Sequence, residues 1–169
     1  MYDIISGRVI HVELQVEKTA NLRNRMMYYA ARLISDQLNI GEDYNKLKQV
    51  VSILICDHVL LKEEDYYINE YEMRNVRNNS FTNLLKLYIL ELPKLPEKED
   101  SAVWPWLKFF KCKKKEEYKM LAKKHPELEK AVNSAMKIPF RQKWRFAMLD
   151  LQMYYMDKRA RKRQIQLDL

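Results

Sequence analysis

Between residues 8 and 16 the chain alternates, and one parity carries the chemistry: His11, Glu13 and Gln15 follow Val9 at every second position, opposite Ile10, Val12, Leu14 and Val16. Side chains two apart on a strand leave the same face, so a carboxylate and an amide are presented side by side. Together they can set a metal ligand and a hydrogen-bonding group against one phosphate. An ordinary strand with one solvated face shows the same alternation, and the pattern alone leaves both readings open. Other chemistries are poorly served. Cys56 and Cys112 have no C-x-x-C spacing, and His11, His58 and His125 are scattered singly, which leaves no zinc framework.

The elements that position this face follow from spacing. Ser6 and Gly7 form a turn before the strand, because glycine supplies the positive φ of a tight hairpin. With these two as the central turn residues, Ile5 pairs with Arg8, Asp3 with Ile10 and Tyr2 with His11. Over residues 19–38, Leu22, Met26, Tyr29, Ala30, Leu33, Ile34 and Leu38 recur at helical spacing and predict one long amphipathic helix. A β-branched apolar run at 50–57 predicts a buried central strand. Further strands are expected at 66–76 and 86–92, the last ended by Pro93. Beyond Pro96 the spacing turns helical, at 103–111, 114–123, 126–136 and 140–163. The expected class is therefore mixed, α/β or α+β, with a core over 1–96 and a helical basic region over 97–169.

Composition is that of a folded protein, with only 2 Gly and 5 Pro in 169 residues and no low-complexity segment. The net charge of +8 favours a polyanionic partner, whose phosphates lysine and arginine neutralise. No apolar stretch approaches the length of a membrane span, and the N-terminus lacks the basic-then-apolar order of a leader. The expected setting is a reducing cytoplasm, with no membrane partner.

The order of motifs carries a resemblance. HVELQ at 11–15, RMMYYAARL at 25–33, QL at 37–38, GEDY at 41–44 with Leu47, VVSILI at 50–55 and LYILELPK at 87–94 resemble the successive motifs of the PD-(D/E)XK nuclease and transposase family, the recombination-promoting nucleases. MLAK at 120–123 and the last helix resemble its helical tail less distinctively. The resemblance implies a restriction-endonuclease-like core and a Mg²⁺-dependent DNA endonuclease linked to recombination. It implies that Glu13 is a ligand of Mg²⁺ and that Gln15 stands at the usual lysine position, orienting water or a phosphate oxygen.

The family also has an Asp on the strand before the E-x-Q strand, and here the sequence departs from it. By the hairpin register, the residue opposite Glu13 falls one place before Met1. Asp3, opposite Ile10, sits on the other face and about 10 Å along the strand at roughly 3.4 Å per residue. That is too far to share an ion whose bonds are about 2.0–2.1 Å. The expectation is thus a core lacking its N-terminal elements, with an incomplete site and, on its own, no cleavage. The alternative is a non-catalytic basic protein that binds DNA or a full-length relative, or a remnant; a homo-oligomer is compatible with each.

Candidate contacts to DNA are Arg25, which follows the E-x-Q strand and can hold a phosphate or form a surface ion pair, the cluster Lys113, Lys114 and Lys115, and Arg159, Arg161, Lys162 and Arg163 near the end of the last helix. Tyr28, Tyr29 and Arg32 can face DNA, but aromatics at helical spacing are more often core. Trp104 and Trp106 are expected to anchor packing, and Cys56 to be buried and inert.

Overall fold

A computed structural model of the chain describes residues 2–5 and 7–136. Residues up to Lys98 form one compact unit, and those from Glu99 onward a second.

The first unit is a five-stranded sheet in the order β1-β2-β3-β5-β4, with β1 at Tyr2–Ile5, β2 at Arg8–Gln15, β3 at Val50–Cys56, β4 at Ile68–Arg74 and β5 at Ser80–Glu91. Gly7, at φ 75°, reverses the chain between the first two strands. The hairpin register is the one the turn dictates: Tyr2 opposite His11, Asp3 opposite Ile10 and Ile5 opposite Arg8. Strands β2, β3 and β5 run parallel, and β4 returns antiparallel along β5. The link from β2 to β3 is the helix α1, Leu22–Ser35.

Helix α1 lies on the face that carries Val9 and Glu13. Ala30 and Leu33 pack with Val9, Val50 and Leu85, while Leu22 and Met26 pack with Leu54, Cys56, Leu61 and Ile89. Complete burial of a leucine or methionine contributes roughly 1.5–3 kcal/mol, so this stripe ties the helix to the sheet. The helix is shorter than its periodicity suggests. Asn21 sits in the left-handed region at φ 58°, which no helix interior tolerates, and so the helix starts after it. At the other end the Gln37 side chain leaves the helix pattern and pairs with the backbone of Lys48, donating to its carbonyl at 3.0 Å and accepting from its N–H at 2.7 Å. That amide fixes the chain's entry into β3.

Strand β5 begins earlier than its apolar run, because residues 80–85 form a hairpin with β4 around a tight turn in which Asn78 has φ 64°. Register shifts at Met73 let the two strands continue past an irregularity.

The second unit contains α2 (Trp104–Lys111), α3 (Lys115–Lys124) and α4 (Glu129–Met136). Its buried residues include Trp104, Leu107, Phe109, Tyr118, Leu121, Leu128 and Val132. Phe109 and Tyr118 meet edge to face at 5.3 Å, and the Tyr118 hydroxyl donates to the Cys112 carbonyl at 2.8 Å. Trp104 is an anchor as expected, with the ammonium groups of Lys108 and Lys124 within 6 Å of its ring. Trp106 is not, since it remains 42% exposed. Among the described residues no helix is long and apolar enough to cross a membrane. The helix expected at 140–163 lies outside the described residues.

Candidate functional site

The polar face of β2 is not a solvated one. Glu13 is only 4% exposed, because α1 covers that face and brings Arg25, one turn into the helix, over the strand. Arg25 Nη2 donates to Glu13 Oε1 at 2.6 Å and to Gln15 Oε1 at 2.8 Å. The ion pair is therefore not at the surface: a buried carboxylate without a partner is severely penalised, and this guanidinium is its partner. Gln15 is oriented from behind, its amide nitrogen donating to the Glu17 carbonyl at 2.9 Å, which leaves its oxygen turned to Arg25. Two oxygens, one charged and one neutral, thus converge on one cationic nitrogen at the carboxyl end of a parallel strand. Open α/β sheets commonly hold ligands at that end.

The rest of this face is polar at Ser52 and Glu91, which the sequence did not single out. His11 Nδ1 and the buried Ser52 hydroxyl are 2.9 Å apart across β2 and β3. Glu91, wholly buried at the end of β5, accepts from the backbone N–H of Leu60 at 2.6 Å and of Leu61 at 3.0 Å, and pairs with Lys94 at 2.6 Å. Glu91 holds the connection between β3 and β4 against the sheet. The signal for it was a lone carboxylate inside the apolar run 87–92 with a lysine three residues on. Cys56 lies beside Gln15 and Glu91 in the strand register. Its thiol is pushed up to about 12 by burial, then by the charges of Glu91 and Glu13. It is protonated and inert at neutral pH.

The remaining candidates are dispersed. Tyr28 is 57% exposed, not core as its spacing suggested, because it stands on the outer side of α1; it meets Tyr29 edge to face at 5.6 Å. Arg32 pairs with Asp36 one turn on at 3.7 Å. Lys113, Lys114 and Lys115 are exposed at the start of α3, where the Glu117 carboxylate accepts from the backbone N–H of Lys113 and Lys114. Arg159, Arg161, Lys162 and Arg163 lie outside the described residues.

A mixed sheet with parallel β2, β3 and β5, α1 over one face, and the buried Glu13 two residues before Gln15 at the carboxyl end of β2 defines a core of the restriction-endonuclease-like class. The family model described as PD-(D/E)XK nuclease family transposase matches residues 3–164, and the chain belongs to that family. No curated protein and no solved structure matches it.

Nucleases of this class generally use divalent metals. Among the described residues, no group of three or more His, Cys, Asp or Glu is gathered where it could hold one, and the single carboxylate at the site is already neutralised by Arg25. As arranged, these residues do not fit a divalent cation without further oxygen donors and without movement of Arg25.

Proposed function

We propose that the chain is the Glu-x-Gln-bearing part of a DNA endonuclease that serves recombination or transposition and depends on Mg²⁺. Glu13 is its metal-binding carboxylate, and Gln15 is the neighbouring group that orients a water or phosphate oxygen. The observation that carries this reading is the convergence of Glu13 Oε1 and Gln15 Oε1 on one cation within 2.8 Å. As arranged, Arg25 is the cation there, and a divalent ion would need further oxygen donors beside these two. Asp3 pairs with Ile10 and not with Glu13, and no second acidic donor is gathered beside Glu13 among the described residues. We expect residues 1–169 alone to cleave poorly or not at all. The two free cysteines suit a reducing compartment, and the cytoplasm is the expected setting.

The test is plasmid cleavage in Mg²⁺ by three proteins: this chain, the chain extended upstream by in-frame coding sequence, and that longer version with Glu13→Ala. Nicking and linearisation by the longer version, abolished by Glu13→Ala, is the expected result. Cleavage that persists in Glu13→Ala removes Glu13 from the site. If no protein cleaves and all still bind DNA, the second reading stands, in which the chain is a non-catalytic DNA-binding protein. The exposed Lys113, Lys114 and Lys115 favour that reading over a functionless remnant.

A further inference from the structure

The hairpin of β4 and β5 runs past the end of its own sheet. Strand β3 begins at Val50, opposite Leu85, so residues 80–84 of β5 have nothing opposite them on β3 and project by roughly 16 Å, at about 3.3 Å per residue. Every residue from Met73 to Phe81 is exposed, Val76 completely and Phe81 to 79%. The tip is fixed by its own hydrogen bonds. Asn75 Oδ1 accepts from the backbone N–H of Arg77 and of Asn79, each at 3.0 Å, and Asn78 N–H donates to the Asn75 carbonyl at 2.9 Å. Arg74 braces it, with Nη1 donating to the Asn78 carbonyl at 2.9 Å and Nε to Glu72 at 2.8 Å. Phe81 is turned out by design of the backbone: Thr82 lies opposite Met73 and Ser80 opposite Arg74, which leaves Phe81 as the extra residue of a bulge, a device that re-aims a side chain.

We propose that this hairpin tip enters the major groove of duplex DNA, with Val76, Arg77, Asn78, Asn79 and Phe81 toward the bases. Charge favours it. Residues 73–90 contain Arg74, Arg77 and Lys86 and no aspartate or glutamate. Arg74 is paired with Glu72, and Lys86 with Glu70 and Glu72, so among the described residues Arg77 is the cation of the tip left for a partner. Shape favours it too, because a two-stranded ribbon fits a groove about 12 Å wide and about 8.5 Å deep, less than the reach of the projection. The side chains are of the types that read base edges there: arginine on guanine, asparagine on adenine, an apolar group on the thymine methyl. A tip already fixed loses little freedom on binding. A second copy of the chain fits worse, since a symmetric contact would set Arg77 near Arg77 in molecules of net charge +8. The inference rests on DNA being the partner and adds a contact remote from Glu13. The tip stands at the amino end of the parallel strands and Glu13 toward their carboxyl end, so the tip holds DNA and takes no part in the cleavage step.

The experiment measures binding of a fluorescent mixed-sequence DNA duplex by anisotropy, in EDTA so that no cleavage intervenes. Wild type, Arg77→Ala, Phe81→Ala and the double variant are compared. Both side chains are exposed, so the melting temperatures should match wild type and any loss belongs to binding. Arg77→Ala should weaken affinity by about tenfold, Phe81→Ala by several-fold, and the double variant by more than either. Methyl green, which occupies the major groove, should displace wild type, and netropsin, which fills the minor groove, should not. Equal binding by wild type and all variants would overturn the proposal and leave DNA as the partner. Displacement by netropsin alone would overturn it as well, and a wild type that binds no duplex would remove both the hairpin contact and the DNA reading. If the variants bind DNA normally but sediment as a smaller species, the tip joins copies of the chain and the proposal falls. Cleavage in Mg²⁺ is read separately. A chain that never cleaves yet loses affinity in Arg77→Ala keeps the hairpin contact and loses the nuclease reading.

Discussion

Glu13 and Glu91 stand on the same face of the sheet, near the ends of β2 and β5, and each buried carboxylate is neutralised by one basic side chain supplied by the segment that follows its own strand. For Glu13 that side chain is Arg25, twelve residues on; for Glu91 it is Lys94, three residues on. Cys56 of β3 lies between the two strands in register with Gln15 and Glu91. The two pairs differ in what else they hold. Glu91 is fully satisfied by two backbone N–H groups and a lysine that also donates to the Leu61 carbonyl at 2.6 Å. Among the described residues, Glu13 has the arginine alone.

Replacing Glu91 should therefore cost stability. Glu91→Ala leaves two backbone donors and a mostly buried ammonium without their acceptor, a change of the kind that costs about 3–5 kcal/mol. Glu91→Gln keeps one oxygen but turns an N–H₂ toward Lys94 or the backbone, and should cost about 2–3 kcal/mol. Urea denaturation measures both. A loss below about 1 kcal/mol in Glu91→Ala would mean that water replaces the carboxylate and that the loop from 57 to 67 is not held by it.

Cys56 gives a prediction in pH. The thiol sits near 9.0 when unperturbed and is pushed up to about 12 in the fold. Above about pH 9 the unfolded chain loses this proton and the folded chain keeps it, so the folded state binds more protons and stability falls as pH rises. The decline should begin near pH 9 and continue toward 12. Cys112, pushed up to about 11 mainly by burial, acts in the same direction, so Cys56→Ala should flatten the slope without abolishing it. Denaturation midpoints between pH 8 and pH 11 give the slope, and a thiol reagent at pH 8 should leave Cys56 unlabelled until the protein unfolds.

Much of this arrangement is legible in the residues. The alternation at 8–16 and the Ser6-Gly7 turn fix a hairpin register that the structure reproduces pair for pair, since a two-residue turn leaves the register no freedom. The helix, the buried run at 50–56 and their order give the parallel β2-α1-β3 unit. Three things were not legible. The face of β2 looked as polar as any solvated face, because alternation says which residues share a side and nothing about what lies over it; α1 supplies the lid, through Leu22 and Met26. The partner of Glu13 depends on how far along the helix the chain has turned when it crosses the strand, a tertiary matter, so Arg25 read equally as a phosphate ligand or a surface pair. Residues 80–85, where Ser80, Thr82 and Asn83 interrupt the apolar Phe81, Leu84 and Leu85, hid the first half of β5, which exists because β4 is there to pair with.

Ser52 tests the polar contact beneath the helix. Its hydroxyl is buried and shared with His11 Nδ1 at 2.9 Å, in the middle of a strand otherwise filled with aliphatic residues. Ser52→Ala should cost about 1 kcal/mol, the net worth of one such bond, seen as a shift in the urea midpoint with an unchanged slope. A stabilised Ser52→Ala would show that His11 is satisfied elsewhere and that the hydroxyl is only tolerated.

The lysines at the start of α3 are the described positions from which contact with DNA is most directly tested. Lys113, Lys114 and Lys115 are exposed and consecutive, and their backbone at 113 and 114 is fixed by Glu117, so their ammonium groups can be changed with little disturbance to the helix. Each one that neutralises a phosphate of duplex DNA contributes about 0.9 to the slope of log K against log salt. Lys113→Gln, Lys114→Gln and Lys115→Gln together should therefore weaken binding to any duplex sequence and lower the slope by roughly 2–3 units. Affinity measured from 50 to 200 mM salt, in about four steps, resolves that change. A slope equal to that of wild type would move the phosphate contacts off α3, and a loss confined to one DNA sequence would mean that these lysines read bases and not the backbone.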